Sequence, residues 1–217
     1  MARKKLGKKP QSKSNNKTGV KTNSKAQHPP LQILQQKLKT EEFEVSYIAA
    51  GEEEEVLFDS LLILLDEASE EETEDDNAFA VQAFFVEDMM KADDPDMPAD
   101  ETPNFATLQL MMDLPVDWSN LSSDREAEAL KLLNACSQKI PIGHFNLDED
   151  VVYFTYALLA ESQRIPGKVL FAALDLLGFF IPPMCAVLEE FVEEDLSLEE
   201  ALETLDKYIL EADEDEF

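Results

Sequence analysis

Glycine is scarce in this chain, occurring only at positions 7, 19, 51, 143, 167 and 178. Loops that cradle phosphates need closely spaced glycines, so that backbone amides can approach the anion. No Walker-type loop, GxGxxG or GxSxG can be built from these six, and Gly167-Lys168 is followed by Val169 with no glycine at the required upstream position. Histidine is almost absent. His28 lies in a polar N-terminal segment, and His144 alternates with Phe145 and Leu147, so it points away from the apolar side. Two cysteines, Cys136 and Cys185, each sit in an apolar stretch. With two histidines and two separated cysteines no zinc cluster can form, and the thiols read as buried and free in a reducing compartment.

Acids, by contrast, are abundant, which makes calcium the metal to test. Asn146, Asp148 and Asp150 have the first spacings of an EF-hand loop, but Val151 stands where glycine is needed and Ala157 where a bidentate glutamate is needed. The loop at Asp93, Asp94, Asp96 and Asp100 lacks such a glycine too and offers at most weak, non-specific divalent binding. The sequence therefore presents no catalytic, cofactor-binding or metal-ligating residues. A carboxylate pair for acid–base work remains an open alternative in a chain with 47 acids, and a small hydrolase or other enzyme using surface carboxylates is the competing reading.

Basic residues are missing from most of the chain. Residues 1–39 hold eleven of the 18 bases and no acid, leaving seven bases against 47 acids in the remaining 178 residues, a net −40. Such a body repels nucleic acid and anionic membrane surfaces. Nucleic acid is expected only as a weak contact of the basic tail. Residues 1–28 have almost no apolar side chains to offset the entropy of ordering, so a disordered tail is expected. A single domain follows over 29–210, then an acidic frayed tail over 211–217. No apolar segment follows the basic N-terminus as a secretory signal would require, so a cytoplasmic location is expected. Val169–Leu188 is long enough to span a bilayer, but Asp175, the Pro182-Pro183 pair and Glu189, Glu190, Glu193 and Glu194 argue for a buried core helix and no membrane span.

Periodicity gives the elements. Leu31, Leu34 and Leu38 predict a short helix opening at Pro29-Pro30. Val45–Ala49 reads as a strand, Glu52–Glu55 as a loop, Val56–Leu65 as a buried strand, Glu70–Asp76 as an acidic turn, and Phe79–Val86 as a further strand. Residues 91–103 read as an acidic, proline-punctuated loop. Leu108, Leu110, Met112, Leu114 and Val116 alternate with Thr107, Gln109, Met111 and Asp113, the pattern of a half-buried antiparallel strand. Ser123 and Glu126 suggest a capping box for a helix carrying Ala129, Leu132, Leu133, Cys136 and Ile140 on one side. A hairpin follows: Ile142–Leu147, a turn at Asp148-Glu149-Asp150, then Val151–Leu159, with Phe145 and Leu147 inward and His144 and Asn146 outward. Trp118, just after the clearest strand, reads as an edge-of-core residue. Pro166-Gly167 start a long helix that Pro182-Pro183 kink or break. Ser197 and Glu200 cap a last helix with a stripe of Leu198, Ala201, Leu202, Leu205 and Ile209. The order predicts an α+β fold, an antiparallel sheet with helices packed on one face. Its edge is a plausible place for a partner strand or a second subunit.

The segment LLNACSQKIPIGHFNLDEDVVYFTYALLAE, with the apolar helix after Gly167, resembles the YbjN-domain family, whose members share the fold of type III secretion chaperones. The matching residues are Leu133, Asn134, Gly143, Phe145, Leu147, Asp148, Asp150, Val152, Tyr153, Phe154 and Tyr156, about sixty residues with the helix included. The resemblance implies a non-catalytic α/β sandwich acting as a chaperone-like or regulatory binding protein. The tail and the long acidic loops lie outside the family pattern. The residues of Val169–Leu188 themselves add a binding expectation. Leu170, Leu174, Leu177 and Ile181 fill one side, and Phe171, Leu176, Phe179 and Phe180 cover much of the rest, so a second cover is needed. The last helix, from Leu198, is one candidate within the chain; a polypeptide partner on those four, with a homodimer foremost as the resemblance to the secretion chaperones implies, is the expectation.

Overall fold

The computed structural model describes residues 29–51, 56–65, 79–94, 105–119, 121–148, 150–193 and 196–214, without the side chains of 123, 124 and 209–214. The expectations for the tail over 1–28, the Glu52–Glu55 loop, the Glu70–Asp76 turn, Glu149, residues 95–103 of the proline-rich loop and residues 215–217 fall outside these.

The leucine spacing after Pro29 forms α1 (Pro30–Thr40), with Leu31, Leu34 and Leu38 buried and proline in the first turn, where its missing N–H has no helical partner to lose. Three strands follow as an antiparallel meander: β1 (Val45–Ile48), β2 (Ser60–Leu65) and β3 (Phe79–Phe85). The second is shorter than the apolar run implies. Pairing starts at Ser60, and Leu57 stays 60% exposed. A helix absent from the sequence reading, α2 (Val86–Asp93), continues directly from β3 and takes in Lys91–Asp93, read above as loop. Where β3 stops pairing at Phe85↔Leu108, the Glu87 carboxylate of α2 accepts the next free amide of the neighbouring strand, Thr107 N–H, at 2.9 and 3.1 Å.

That neighbour, β4 (Phe105–Asp117), is the spine of the sheet. Leu108, Leu110, Met112, Leu114 and Val116 are all buried, as the alternation requires, and Trp118 beyond them joins the core. After α3 (Ser123–Lys139) the chain forms β5 (His144–Asp148) and β6 (Val151–Glu161), and β6 pairs back onto β4. The β4–β6 register is continuous from Phe105↔Glu161 to Asp113↔Tyr153 and shifts before Asp117↔Val151. Pro115 lies within the shift and has no N–H to donate to the ladder. Among the described residues the six strands run β1-β2-β3-β4-β6-β5, every neighbouring pair antiparallel. The fold is α+β.

The hairpin register puts Phe145 in the core and leaves His144 exposed. Leu147 is half-buried and packs on the core, while half-buried Asn146 donates to the Thr155 hydroxyl at 3.1 Å. Both edge strands are tied to helices by side chains. Phe145 N–H donates to Ser137 Oγ of α3, and Gln35 Nε2 of α1 donates to the Val45 carbonyl.

Two helical details depart from expectation. The N-cap of α3 is Ser122, whose hydroxyl accepts Arg125 N–H, one residue before the cap expected at Ser123. The long helix α4 (Gly167–Glu193) runs unbroken through Pro182 and Pro183. The prolines remove the donors for the Gly178 and Phe179 carbonyls, but Ile181, Met184, Cys185, Val187 and Leu188 are buried on both sides of the gap, so the expected break does not occur. The capping box of α5 (Leu198–Glu214) forms as expected. Glu200 accepts from Ser197 N–H and Oγ, and Ser197 Oγ accepts from Glu200 N–H. Ala201 and Leu205 are buried and Leu198 and Leu202 pack on the core, while α5 continues to Glu214, into the segment expected to fray.

The β6–α4 connection carries strain. Arg164 N–H closes a turn onto the Glu161 carbonyl at 3.1 Å, with Ser162 at φ 55° and Gln163 at φ 56°. Two successive positive φ values are the type I′ pattern, which Asn-Gly adopts at least cost. Replacing Ser162→Asn together with Gln163→Gly is expected to raise stability by about 1 kcal/mol, read as a higher urea midpoint at unchanged slope. A lower midpoint would show that the Gln163 side chain, which donates to Asp88 Oδ2 at 3.1 Å, holds more than the strain costs.

Candidate functional site

The four residues singled out on α4 divide in two. With 3.6 residues per turn, the buried positions Leu170, Leu174, Leu177, Ile181, Met184 and Leu188 fix the side that faces the sheet. Phe171 lies on one flank, stacked on Phe43 of the α1–β1 connection at 6.1 Å, and Phe180 lies on the other flank, where both it and Phe171 pack against the core. Leu176 and Phe179 point outward and are half-buried. The ring of Phe179 meets that of Phe180 edge-on at 4.9 Å, so the outer aromatic is anchored by the inner one.

Leu176 and Phe179 belong to a longer seam. Ala172, Leu176, Phe179, Pro183 and Ala186 recur at spacings of four, three, four and three, which on an α-helix is one continuous outward stripe. Sequence reasoning named the bulky members and missed Ala172, Pro183 and Ala186. The heptad-like spacing was the available signal, hidden because small residues add little to a hydropathy count. Lys168 stands one turn before the seam and Glu190 one turn after it. The stripe is therefore apolar for five positions and oppositely charged at its two ends. Among the described residues α4 is the helix long and apolar enough to cross a membrane. Its inward positions are packed into the sheet core.

Beside the seam's flank lies a cavity of about 260 Å³ between Phe43, Leu65, Leu174 and Gly178, with Glu41, Glu42 and Asp175 in its wall. A larger one, about 530 Å³, opens where the N-terminal turn of α1 meets the β6–α4 connection.

Among the described residues, the carboxylates whose pKa departs from the ordinary value, Asp117 and Glu200, both move down. Each accepts hydrogen bonds from a nearby serine, Ser119 and Ser197 respectively, and both are fully exposed. A general acid needs the opposite shift. Burial pushes the Cys136 thiol up to about 12, so it stays protonated and unreactive at neutral pH. Among the described residues no group of three or more His, Cys, Asp or Glu side chains is placed to hold a metal ion. The chain matches no protein-family model and no curated protein sequence.

Proposed function

We propose that this protein is a non-enzymatic, chaperone-like or regulatory protein-binding module that works through the outer face of α4, and that its first partner on that face is a second copy of itself. The observation that carries the reading is the matched placement of the seam's end residues about Phe179. Ala172 and Ala186 lie seven residues to either side, and Lys168 and Glu190 eleven. A two-fold axis through Phe179 would lay two α4 helices antiparallel, each Ala172 beside the partner's Ala186 and each Lys168 beside the partner's Glu190. An isologous interface has this self-complementarity, with Phe179 meeting the partner's Phe179 at the axis and small residues two turns to either side. The resemblance to the YbjN-domain family supports the same class of function, and the downward shifts of Asp117 and Glu200 give the enzyme reading no help.

The test is a charge exchange. Lys168→Glu places two acids together at both ends of such an interface and is expected to weaken the dimer on the order of tenfold. Adding Glu190→Lys to the same chain restores the pairing in reverse and is expected to recover the dimer. Failure of the double variant to recover would remove the antiparallel arrangement.

A further inference from the structure

We propose that the corner between α1 and the β6–α4 turn binds a small amphiphilic anion, a carboxylate or comparable oxyanion carried on an apolar body. This site is separate from the α4 seam and does not depend on it. Its cavity, about 530 Å³, is within the range of sites that enclose small organic ligands. Buried Leu34 and Ile165 line it, as does Ile33, an apolar side chain left 42% exposed. Lys37 and Arg164 share the same wall.

Those two cations are the unusual feature. From residue 29 onward the chain has nine bases, Lys37 among them, against 47 acids. Three of the nine, Lys91, Arg125 and Lys139, are ion-paired to Asp88, Glu128 and Asp206. Lys37 and Arg164 stand in the cavity wall, and neither is ion-paired among the described residues. The Lys37 stem passes beside Gly167, 3.6 Å from where a β-carbon on that residue would sit. Arg164 is carried in by the strained turn at Ser162 and Gln163. Asp88, which accepts from the neighbouring Gln163, is also engaged by Lys91.

Charge range selects the class of ligand. At physiological salt electrostatic effects fade over about 8 Å. A small anion in the cavity therefore meets Lys37 and Arg164 in its wall, whereas the closest acids in the chain, Glu41 and Glu161, lie one turn away and do not line it. An acidic polypeptide lying across the surface would meet those acids directly, which disfavours it. An amphiphile needs both halves of the lining, the apolar wall for its body and the guanidinium and ammonium for its head.

Isothermal titration of the full chain with decanoate, below micelle formation, tests this. One decanoate per chain is expected. Arg164→Glu and Ile33→Asp, two exposed positions on different elements, are each expected to weaken binding about tenfold or more, the loss of one charge-assisted contact or of the apolar wall. Phe179→Asp, on the separate seam, is expected to leave decanoate affinity unchanged, so this site can fail without the α4 seam failing and the reverse. Absence of saturable binding would overturn the proposal. So would equal binding of decyltrimethylammonium, an unchanged affinity in Arg164→Glu, or tighter binding of an acidic peptide with the sequence of residues 211–217 than of decanoate.

Discussion

Gly143→Ala is expected to destabilise the protein by about 2–5 kcal/mol. Gly143 sits at φ 66°, where a β-carbon costs about 1–2 kcal/mol. The new methyl group would also collide with the Phe154 ring and the Thr155 carbonyl oxygen. Phe154 is fully buried and meets Phe145 edge-on at 5.3 Å, so its ring has nowhere to retreat, and overpacking adds about 1–3 kcal/mol. Urea denaturation checks it. A loss under about 1 kcal/mol would mean that the start of β5 yields, and that the close approach of Gly143 to β6 is not a fixed feature of the hairpin.

Arg125→Ala is expected to cost about 3–5 kcal/mol. Its guanidinium lies 3.9 Å from the centroid of the Phe191 ring. Nη2 donates to the Phe191 carbonyl at 2.5 Å and Nη1 to the Leu196 carbonyl at 2.7 Å, with Glu128 at 3.3 Å. One side chain on the first turn of α3 thus satisfies carbonyls at the end of α4 and at the entry to α5. Hydrogen bonds from a charged donor contribute about 1.5–3 kcal/mol each, and the orphaned carbonyls lose their partners when it goes. Arg125→Lys should recover only a minor part, since an ammonium cannot fork to two carbonyls while lying flat on a ring. Chemical denaturation of both variants reads this. Equal stability of the Lys variant and the native protein would show that charge alone, without the fork, holds the three helices.

The parts of this fold legible in the sequence are those where one local signal decides the outcome. The alternation in β4, the leucines of α1, the inward face of α3 and the Ser197–Glu200 box of α5 each depend on neighbours within a few residues. The misses follow from signals that were absent or duplicated. Helix α2 buries no residue and has no side-chain cap, so neither periodicity nor capping marks it. Ser122 and Ser123 are adjacent, each with a candidate partner three residues on, and sequence alone does not choose between them. Pro182-Pro183 reads as a break because the packing that outweighs two lost hydrogen bonds comes from distant elements. The candidate site divides the same way. The surplus of apolar residues on α4 is visible in the sequence, but Phe171 is covered on its flank by Phe43, a partner more than a hundred residues away. The α1 corner was not visible at all, since nothing local places Arg164 near Lys37.

The central claim, that the outer seam of α4 is an interface between two copies of this chain, is tested most directly by sedimentation velocity on the full chain at tens of micromolar. The account predicts a dimer for the native protein and a monomer for Phe179→Asp, with the two giving the same circular dichroism spectrum. A native protein that sediments as a monomer across that range, or a Phe179→Asp variant that remains a dimer, would contradict it.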